Sequence, residues 1–296
     1  MRIMIPPAPI LNGPDNTKKQ EVVARLCFDP AEDEWVKPSA PDPHWLTSVH
    51  DLVHVRDVLA GRKGNGFNNR QEEFLAHALH SCYAMQEAVD EVLCGSHCAD
   101  TKPPVVFAPV SGFHHAEYAG CGGYCTFNGL MMAAKMALDA YDYTVDSVCI
   151  IDGDGHWGNG TQDIIDKLRL KGKVNHVSLD KGSVGGDFKE AQTRIVEALN
   201  RRPGLVLYQA GADAHWEDPY GAGYLTDEEW DRRDETVFAM CKAFNLPLVW
   251  NLAGGYNGTK TLTLHNRTFV SALREYYPGS YRQTHGLSPE LGSSGL

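Results

Sequence analysis

From Val105 onward the chain alternates two kinds of segment, and this alternation limits the folds open to it more than any other feature. Val105 to Val110, Ser147 to Ile151, Val174 to Leu179, Leu205 to Tyr208 and Pro247 to Leu252 are short, rich in Val, Ile and Leu, and bounded by Gly, Asp or Pro. Such runs read as buried strands. Helical patterns lie between them at Phe127 to Ala140, Thr161 to Leu168, Asp187 to Asn200 and Thr226 to Phe244, and another follows at Thr259 to Tyr276. Thr226-Asp227-Glu228-Glu229 supplies an N-cap with acids in the first turn. Strand and helix in alternation predict an α/β fold whose parallel sheet is covered on both faces. Residues 1–104 are less regular. Pro6-Pro7-Ala8-Pro9 and Pro38 to Pro43 read as surface or arm segments, and Asn69 to Cys94 as a long helix packed on the sheet. With no repeat, low-complexity tract or linker, residues 1–296 read as one domain.

In such sheets the ligand site lies beyond the C-terminal ends of the strands. The loops there, Ser111 to Gly123, Asp152 to Gly160, Gly211 to Gly223 and Ala253 to Gly258, hold the densest polar chemistry in the chain. Asp154 and His156, two positions apart after a strand, project to one side and can grip one metal ion. A borderline cation such as zinc accepts both donor types. Alone, the run Asp152-Gly153-Asp154-Gly155-His156 is equally a turn that starts a helix. Asp213 supplies a third ligand from another strand end, and three protein ligands with an open position suit a hydrolytic site. A lone Asp there more often caps a helix, so its pairing with Asp154 and His156 carries the ligand reading. His114 and His115 are awkward to bury without partners, and Asp152 and Asn159 are available to orient them as acid-base groups. Tyr256, after Gly254-Gly255, is placed to donate to a developing oxyanion, although Gly-Gly-Tyr alone is usually just a turn.

Composition excludes several classes. A net charge of -11 argues against general nucleic-acid binding and leans toward a cationic substrate. No stretch approaches the ~20 apolar residues of a membrane span. Met1-Arg2-Ile3-Met4-Ile5-Pro6-Pro7 has no apolar core of a signal peptide, so a cytoplasmic location is expected. The 8 cysteines are scattered; Cys82, Cys125, Cys149 and Cys241 sit in apolar runs and read as reduced core residues. Cys94-Gly95-Ser96-His97-Cys98 resembles half of a structural zinc site, but no second half follows, so it reads as a helix end and turn.

Five consecutive blocks together resemble the histone deacetylase and acetylpolyamine amidohydrolase family. They are Gly112-Phe113-His114-His115-Ala116, Gly123-Tyr124-Cys125-Thr126-Phe127-Asn128, the run from Asp152 to Gln162, Ala210-Gly211-Ala212-Asp213-Ala214-His215 and Ala253-Gly254-Gly255-Tyr256. The core motifs fall within 105–258. The resemblance implies an arginase-like, three-layer α-β-α fold with a mostly parallel central sheet of about eight strands. It implies zinc, or ferrous iron, on Asp154, His156 and Asp213. His115 would be the general base, His114 its partner oriented by Asp152, and Tyr256 the group that polarises the acyl carbonyl. A potassium ion would be held by Asp152 and the Asp154 carboxylate, with His156, Ser178 and Leu179. Gly123 and Tyr124 would line the acyl channel beside Gly254. The substrate would be an acylated amine or acetyl-lysine, and a homo-oligomer is compatible with the family.

The departures concern the channel. Trp157 stands where the family usually carries a second histidine, which implies altered packing rather than lost metal. Asn159 stands where some members have aspartate, and a neutral partner leaves the imidazole less basic. The segment Asp180 to Gly186 lacks the usual second aromatic wall. Tyr220 is a candidate replacement and equally a surface residue of a Pro-Tyr-Gly turn; Phe188 is a weaker candidate. Asn68-Asn69 occupies the region of the usual acidic substrate grip. Two other functions remain in view. An arginase-like two-manganese ureohydrolase needs more aspartates near the first loop than His114-His115 offers. A non-catalytic binding module is expected to lack a ligand or Tyr256, and both are present.

Overall fold

A computed structural model describes residues 1–7, 10, 15–27, 29, 33–38, 43–94, 104–220 and 222–279. Its centre is a seven-stranded sheet ordered β2-β1-β3-β7-β6-β4-β5. The strands are β1 (Arg2–Met4), β2 (Glu34–Val36), β3 (Val105–Ala108), β4 (Val148–Asp152), β5 (Val174–Ser178), β6 (Leu205–Gly211) and β7 (Leu248–Ala253). Every pairing is parallel. The helices are α1 (Asp15–Cys27), α2 (Pro43–Val49), α3 (Leu52–Leu59), α4 (Glu72–Cys94), α5 (Gly129–Ala140), α6 (Asn159–Lys167), α7 (Phe188–Asn200), α8 (Asp227–Ala243) and α9 (Gly258–Tyr276).

The expected three-layer fold with a mostly parallel sheet of about eight strands is borne out, with seven strands, all parallel, among the described residues. Each crossover from β3 onward contains a helix, which enforces parallel pairing, and after β7 the chain enters α9 with no further described strand. Residues 1–104 also hold more order than their pattern predicts. Two three-residue strands extend the sheet beyond β3, and α1, α2 and α3 accompany them. Ala8-Pro9 and residues 39–42 of the two proline-rich stretches, and Gly95 to Cys98 of the cysteine cluster, lie outside the described residues.

The strands read as continuous apolar runs because both faces are buried. Val105, Phe107, Cys149, Ile151, Val206, Tyr208, Leu248 and Trp250 pack under α7, α8 and α9 with Ile195, Val237, Phe238 and Phe269. Their alternates Val106, Ala108, Ile150, Leu205, Leu207 and Val249 pack under α4 and α5 with Met85, Val89, Leu130 and Ala134. Phe107 and Trp250 stack with centroids 3.8 Å apart.

Strand order explains why four loops meet. Neighbours β3, β7, β6 and β4 end side by side, so the segments after Ala108, Ala253, Gly211 and Asp152 share one edge. The buried row at that edge is polar. Ser178 pairs with Asp152, Asp152 with Gln209, and Gln209 with Asn251.

Asn128 and His50 brace the first of these loops. Asn128 caps α5 by accepting from the Met131 amide, and its own amide donates to Ala116 O and Thr161 Oγ1. His50 Nε2 accepts from the Asn128 amide at 2.9 Å, which leaves Nδ1 to donate to Glu117 O at 2.8 Å. Burial pushes the His50 pKa down to about 4. The unfolded ring protonates near 6.5 while the folded ring resists, so its contribution is complete above pH 6.5 and is lost as pH falls toward 4. The shift corresponds to about 3 kcal/mol. His50→Gln is therefore expected to be less stable than wild type at pH 7, with the difference shrinking by about 3 kcal/mol by pH 4 in urea titrations. A difference that does not change with pH would contradict this.

Candidate metal centre and active site

Asp154 and His156 emerge from the turn after β4, and Asp213 from a 3-10 turn (Ala212–Ala214) after β6. One ligand atom from each lies within 4.8 Å of the others. His156 Nδ1 faces both carboxylates, 2.7 Å from Asp213 Oδ2 and 3.2 Å from Asp154 Oδ1. Asp154 and Asp213 are buried. Burial, and the neighbouring Asp154, push the Asp213 pKa up to about 7. Hydrogen bonds to Asp154 and Asp213 raise His156 to about 10. Two buried carboxylates crowding one imidazole nitrogen form a donor set that a small divalent cation would neutralise and that suits zinc.

The two histidines sit beside this group with ring centroids 4.0 Å apart. His114 is buried, and its Nδ1 lies 2.8 Å from Asp152 Oδ2. Burial disfavours the charged ring, but Asp154 and Asp152 outweigh it and raise its pKa to about 9. Asp152 is held well below the usual carboxylate range: burial opposes ionisation, and His114 and His176 overcome that. Gln209 Nε2 donates to the other Asp152 oxygen at 2.8 Å. His115 differs. Its Nδ1 lies 2.6 Å from Asn159 Oδ1, and Asn159 in turn donates to Glu117 Oε1 at 2.9 Å. Burial and the adjacent His114 lower the His115 pKa.

The pocket above these groups is lined by Phe113, Gly123, Tyr124, Gly254 and Tyr256, among others. Burial, with Asp154 and Asp213 nearby, raises the Tyr256 pKa, so its phenol stays a donor. Tyr124 adopts φ 63°, an uncommon conformation for a non-glycine residue that recurs at functional sites. Its ring centroid lies 6.2 Å from that of Tyr256 and 5.6 Å from that of Phe67.

Tyr220 is both packed and exposed. It is 61% exposed yet meets Tyr256 edge-on, with centroids 4.5 Å apart and an interplanar angle of 90°. Burial and the Tyr220 phenol raise the Tyr124 pKa, which places Tyr220 beside both pocket tyrosines. Phe188 does not reach the pocket; it packs against the cluster of Ala212, Ala214, Leu225, Trp230 and Leu264. Trp157 leans on His176 with centroids 5.4 Å apart, outside the ligand group. Asn69 accepts from Asn65 Nδ2 and the Gln71 amide and so braces its own turn. Ser178 and Leu179 lie beside Asp152, where the Leu179 amide donates to Asp152 O and Ser178 Oγ donates to Asp180.

Four contributors escape sequence reading. Gln209 and Asn251 are single amides inside apolar strands, and Glu117 gives no signal beyond being an acid in a loop. Lys19 comes from α1, where Lys18-Lys19 reads as a solvated face. It is buried, lines the pocket, and donates from Nζ to Gly254 O. Burial lowers its pKa to about 8 against the opposing pull of Asp213, Asp154 and Asp218.

Comparisons with known proteins assign the family and the fold. The model of the histone deacetylase domain family matches residues 14–169 and 165–273. Histone deacetylase 2 of Arabidopsis thaliana is 28% identical over 166 residues, covering 49% of this chain and 42% of that protein. A probable deacetylase of Methanothermobacter thermautotrophicus is 26% identical over 285 residues, covering 82% and 81%. The chain spans 24% to 42% of the length of the first four curated relatives it matches, among them Histone deacetylase HDA1 of Saccharomyces cerevisiae at 25%. Acetylpolyamine aminohydrolase from Burkholderia pseudomallei superposes with a TM-score of 0.69 at 18% identity, covering 93% of this chain and 98% of that one. That likeness establishes the three-layer α/β fold shared by arginases and deacetylases. With the family model matched across most of its length, this chain belongs to the histone deacetylase domain family.

Proposed function

We propose that this chain is a zinc-dependent amidohydrolase that removes the acyl group from N-acylated amines such as the acetyl-lysine side chain. The observation that carries the reading is the convergence of Asp154, His156 and Asp213 within 4.8 Å, next to two separately oriented histidines and a buried phenol. Zinc, with ferrous iron as the alternative, would be held by those three residues and would supply Lewis acidity to the acyl carbonyl and to water. Asp152, Ser178 and Leu179, with Asp154 and His156, would hold a potassium ion in the same reading; Asp152 and Ser178 are register partners in neighbouring strands.

The protein groups divide the proton work. His115 has Nδ1 committed to Asn159, so Nε2 is the free nitrogen, and its lowered pKa keeps the ring neutral at pH 7. It takes the proton from the attacking water. His114, held charged between Asp152 and Asp154, stabilises developing negative charge and acts with His115 in protonating the leaving amine. Tyr256 donates to the carbonyl oxygen as it gains charge. Gly123, Tyr124, Tyr220 and Gly254 border the path of the acyl chain. A cytoplasmic setting belongs to the same reading; no described helix is long and apolar enough to cross a membrane.

Metal analysis together with turnover of an acetyl-lysine peptide, acetylputrescine and a panel of other acylated amines tests the proposal. Stoichiometric zinc and metal-dependent amide hydrolysis are expected, with the ratio of peptide to acetylputrescine turnover assigning the substrate class. Two manganese ions per chain, or no hydrolysis of any acyl amide, would overturn it. A finer test lies in Asn159→Asp. A carboxylate 2.6 Å from Nδ1 favours the imidazolium, so the acid limb of the kcat/KM profile is expected to move up by roughly 1 pH unit or more. An unmoved limb would remove His115 from the role of base.

A further inference from the structure

Asp218 lies five residues beyond Asp213, in the loop that runs from the 3-10 turn to α8. It is only 7% exposed, although Trp216 and Tyr220, two positions to either side in sequence, are exposed. Its two carboxylate oxygens have different jobs. Oδ1 accepts the backbone amide of Tyr220 at 3.1 Å, and Oδ2 accepts the backbone amide of Tyr256, 38 positions away, at 2.9 Å. The first bond alone is an ordinary turn in which an Asp side chain folds back two residues. The second has no such local explanation.

We propose that Asp218 is a positioning residue that clamps the backbone at Tyr220 and at Tyr256 together, so that the oxyanion-facing phenol and the aromatic beside Tyr124 are set as one unit. The inference rests on the reading of Tyr256 given above. Other ties between the two loops exist, but they lie to the side. Asn257 Nδ2 donates to Glu217 O at 3.1 Å, and Lys260 pairs with Glu217 at 2.9 Å and Asp227 at 2.7 Å. They hold the loops adjacent without touching the Tyr256 main chain. Among the described residues only Asp218 links that amide to the metal-ligand loop, and the edge-on contact of Tyr220 with Tyr256 completes the unit.

The chemistry selects a diagnostic variant. A carboxylate offers acceptors on both oxygens, whereas a carboxamide offers one acceptor and one donor group. Asp218→Asn keeps the shape, yet in either flip it turns an NH2 toward one of the two backbone amides. Asp218→Glu keeps both acceptors and serves as the rescue. The surrounding ties remain in both variants.

The first measurement is amide hydrogen exchange by NMR at Tyr220 and Tyr256 in the zinc-loaded full chain. Asp218→Asn is expected to speed exchange at one or both by about tenfold or more, and Asp218→Glu to recover most of the protection. The second is turnover of an acetyl-lysine peptide. Asp218→Asn is expected to lower kcat by roughly 10- to 100-fold with zinc content unchanged, the scale of a misplaced transition-state donor. In a Tyr256→Phe background the same change is expected to lower kcat no further, because Asp218 acts through Tyr256. Unchanged exchange at both amides, or a full additional loss in the double variant, would overturn the proposal. If the zinc-loaded wild type hydrolyses no acyl amide, the functional reading fails, and the exchange result alone decides whether the clamp exists.

Discussion

Asp213→Ala is expected to strip the metal and to lower turnover by roughly 10³- to 10⁴-fold, the several kcal/mol that a bound cation contributes to the transition state. Asp213, a proposed ligand, is held through both oxygens: Oδ2 faces His156 Nδ1 at 2.7 Å, and Oδ1 accepts the Gly155 amide at 2.9 Å. Without it only Asp154 and His156 remain, short of the three ligands a catalytic zinc site uses. The fold should respond in the opposite direction. Burial and repulsion by Asp154 raise the Asp213 pKa to about 7, so removing this carboxylate relieves a strained pair of buried acids. Chelated Asp213→Ala is therefore expected to melt no lower than chelated wild type, while its zinc content falls well below one per chain. Full zinc retention with full activity would defeat the ligand assignment, and a collapsed melting temperature would make Asp213 a structural acid instead.

The parts of this site that are legible in the sequence are those whose residue types are hard to explain otherwise. Paired histidines and an Asp-x-Asp-x-His run after strand-like segments demand partners, and the structure supplies those partners as Asp152 and Asn159. Strands from 105 onward are legible because each contains a short run rich in Val, Ile or Leu bounded by Gly, Asp or Pro. β1 and β2 do not; three residues cannot show a period, and they exist because the edge of β3 offers a template to β1, and β1 in turn to β2. β6 runs three residues past Tyr208, through Gln209, Ala210 and Gly211, because β7 pairs with each of them.

Lys19 is illegible for a related reason. Nothing in Asn16-Thr17-Lys18-Lys19-Gln20 distinguishes the second lysine from the first, and only the docking of α1 beside α9 selects it. Tyr220 is the intermediate case. Its sequence allows a wall or a surface turn, and the structure makes it an exposed residue packed on Tyr256. Side chains that act by filling a channel leave less trace in sequence than those that bind charge, since many shapes fill space and few groups bind metal.

Gly254→Ala is expected to disable the site without removing any functional group. Gly254 has φ +40°, and a Cβ there would lie 2.7 Å from Asp213 Oδ2 and closer still to Oδ1 and Cγ. Moving the backbone away would also disturb the hydrogen bond that Gly254 O accepts from Lys19. Alanine must therefore push the Asp213 carboxylate out of line or break the Lys19 tether. Either route also leaves a non-glycine residue in the left-handed region, at about 1 kcal/mol. The expected outcome is zinc affinity reduced at least about 100-fold, with turnover falling in step, since an error of about 1 Å at a reacting centre can have that effect. Gly255→Ala is the informative control. Its φ is +87°, but the added Cβ would meet Thr261 Cγ2 at 2.5 Å and Ala212 Cβ at 2.8 Å, and no ligand atom is among its nearest contacts. It is expected to lower the melting temperature while the folded fraction still binds zinc. Metal titration and thermal melts on both variants separate a crowded ligand from a strained backbone. Wild-type zinc affinity in Gly254→Ala would show that the close approach to Asp213 does not govern the site.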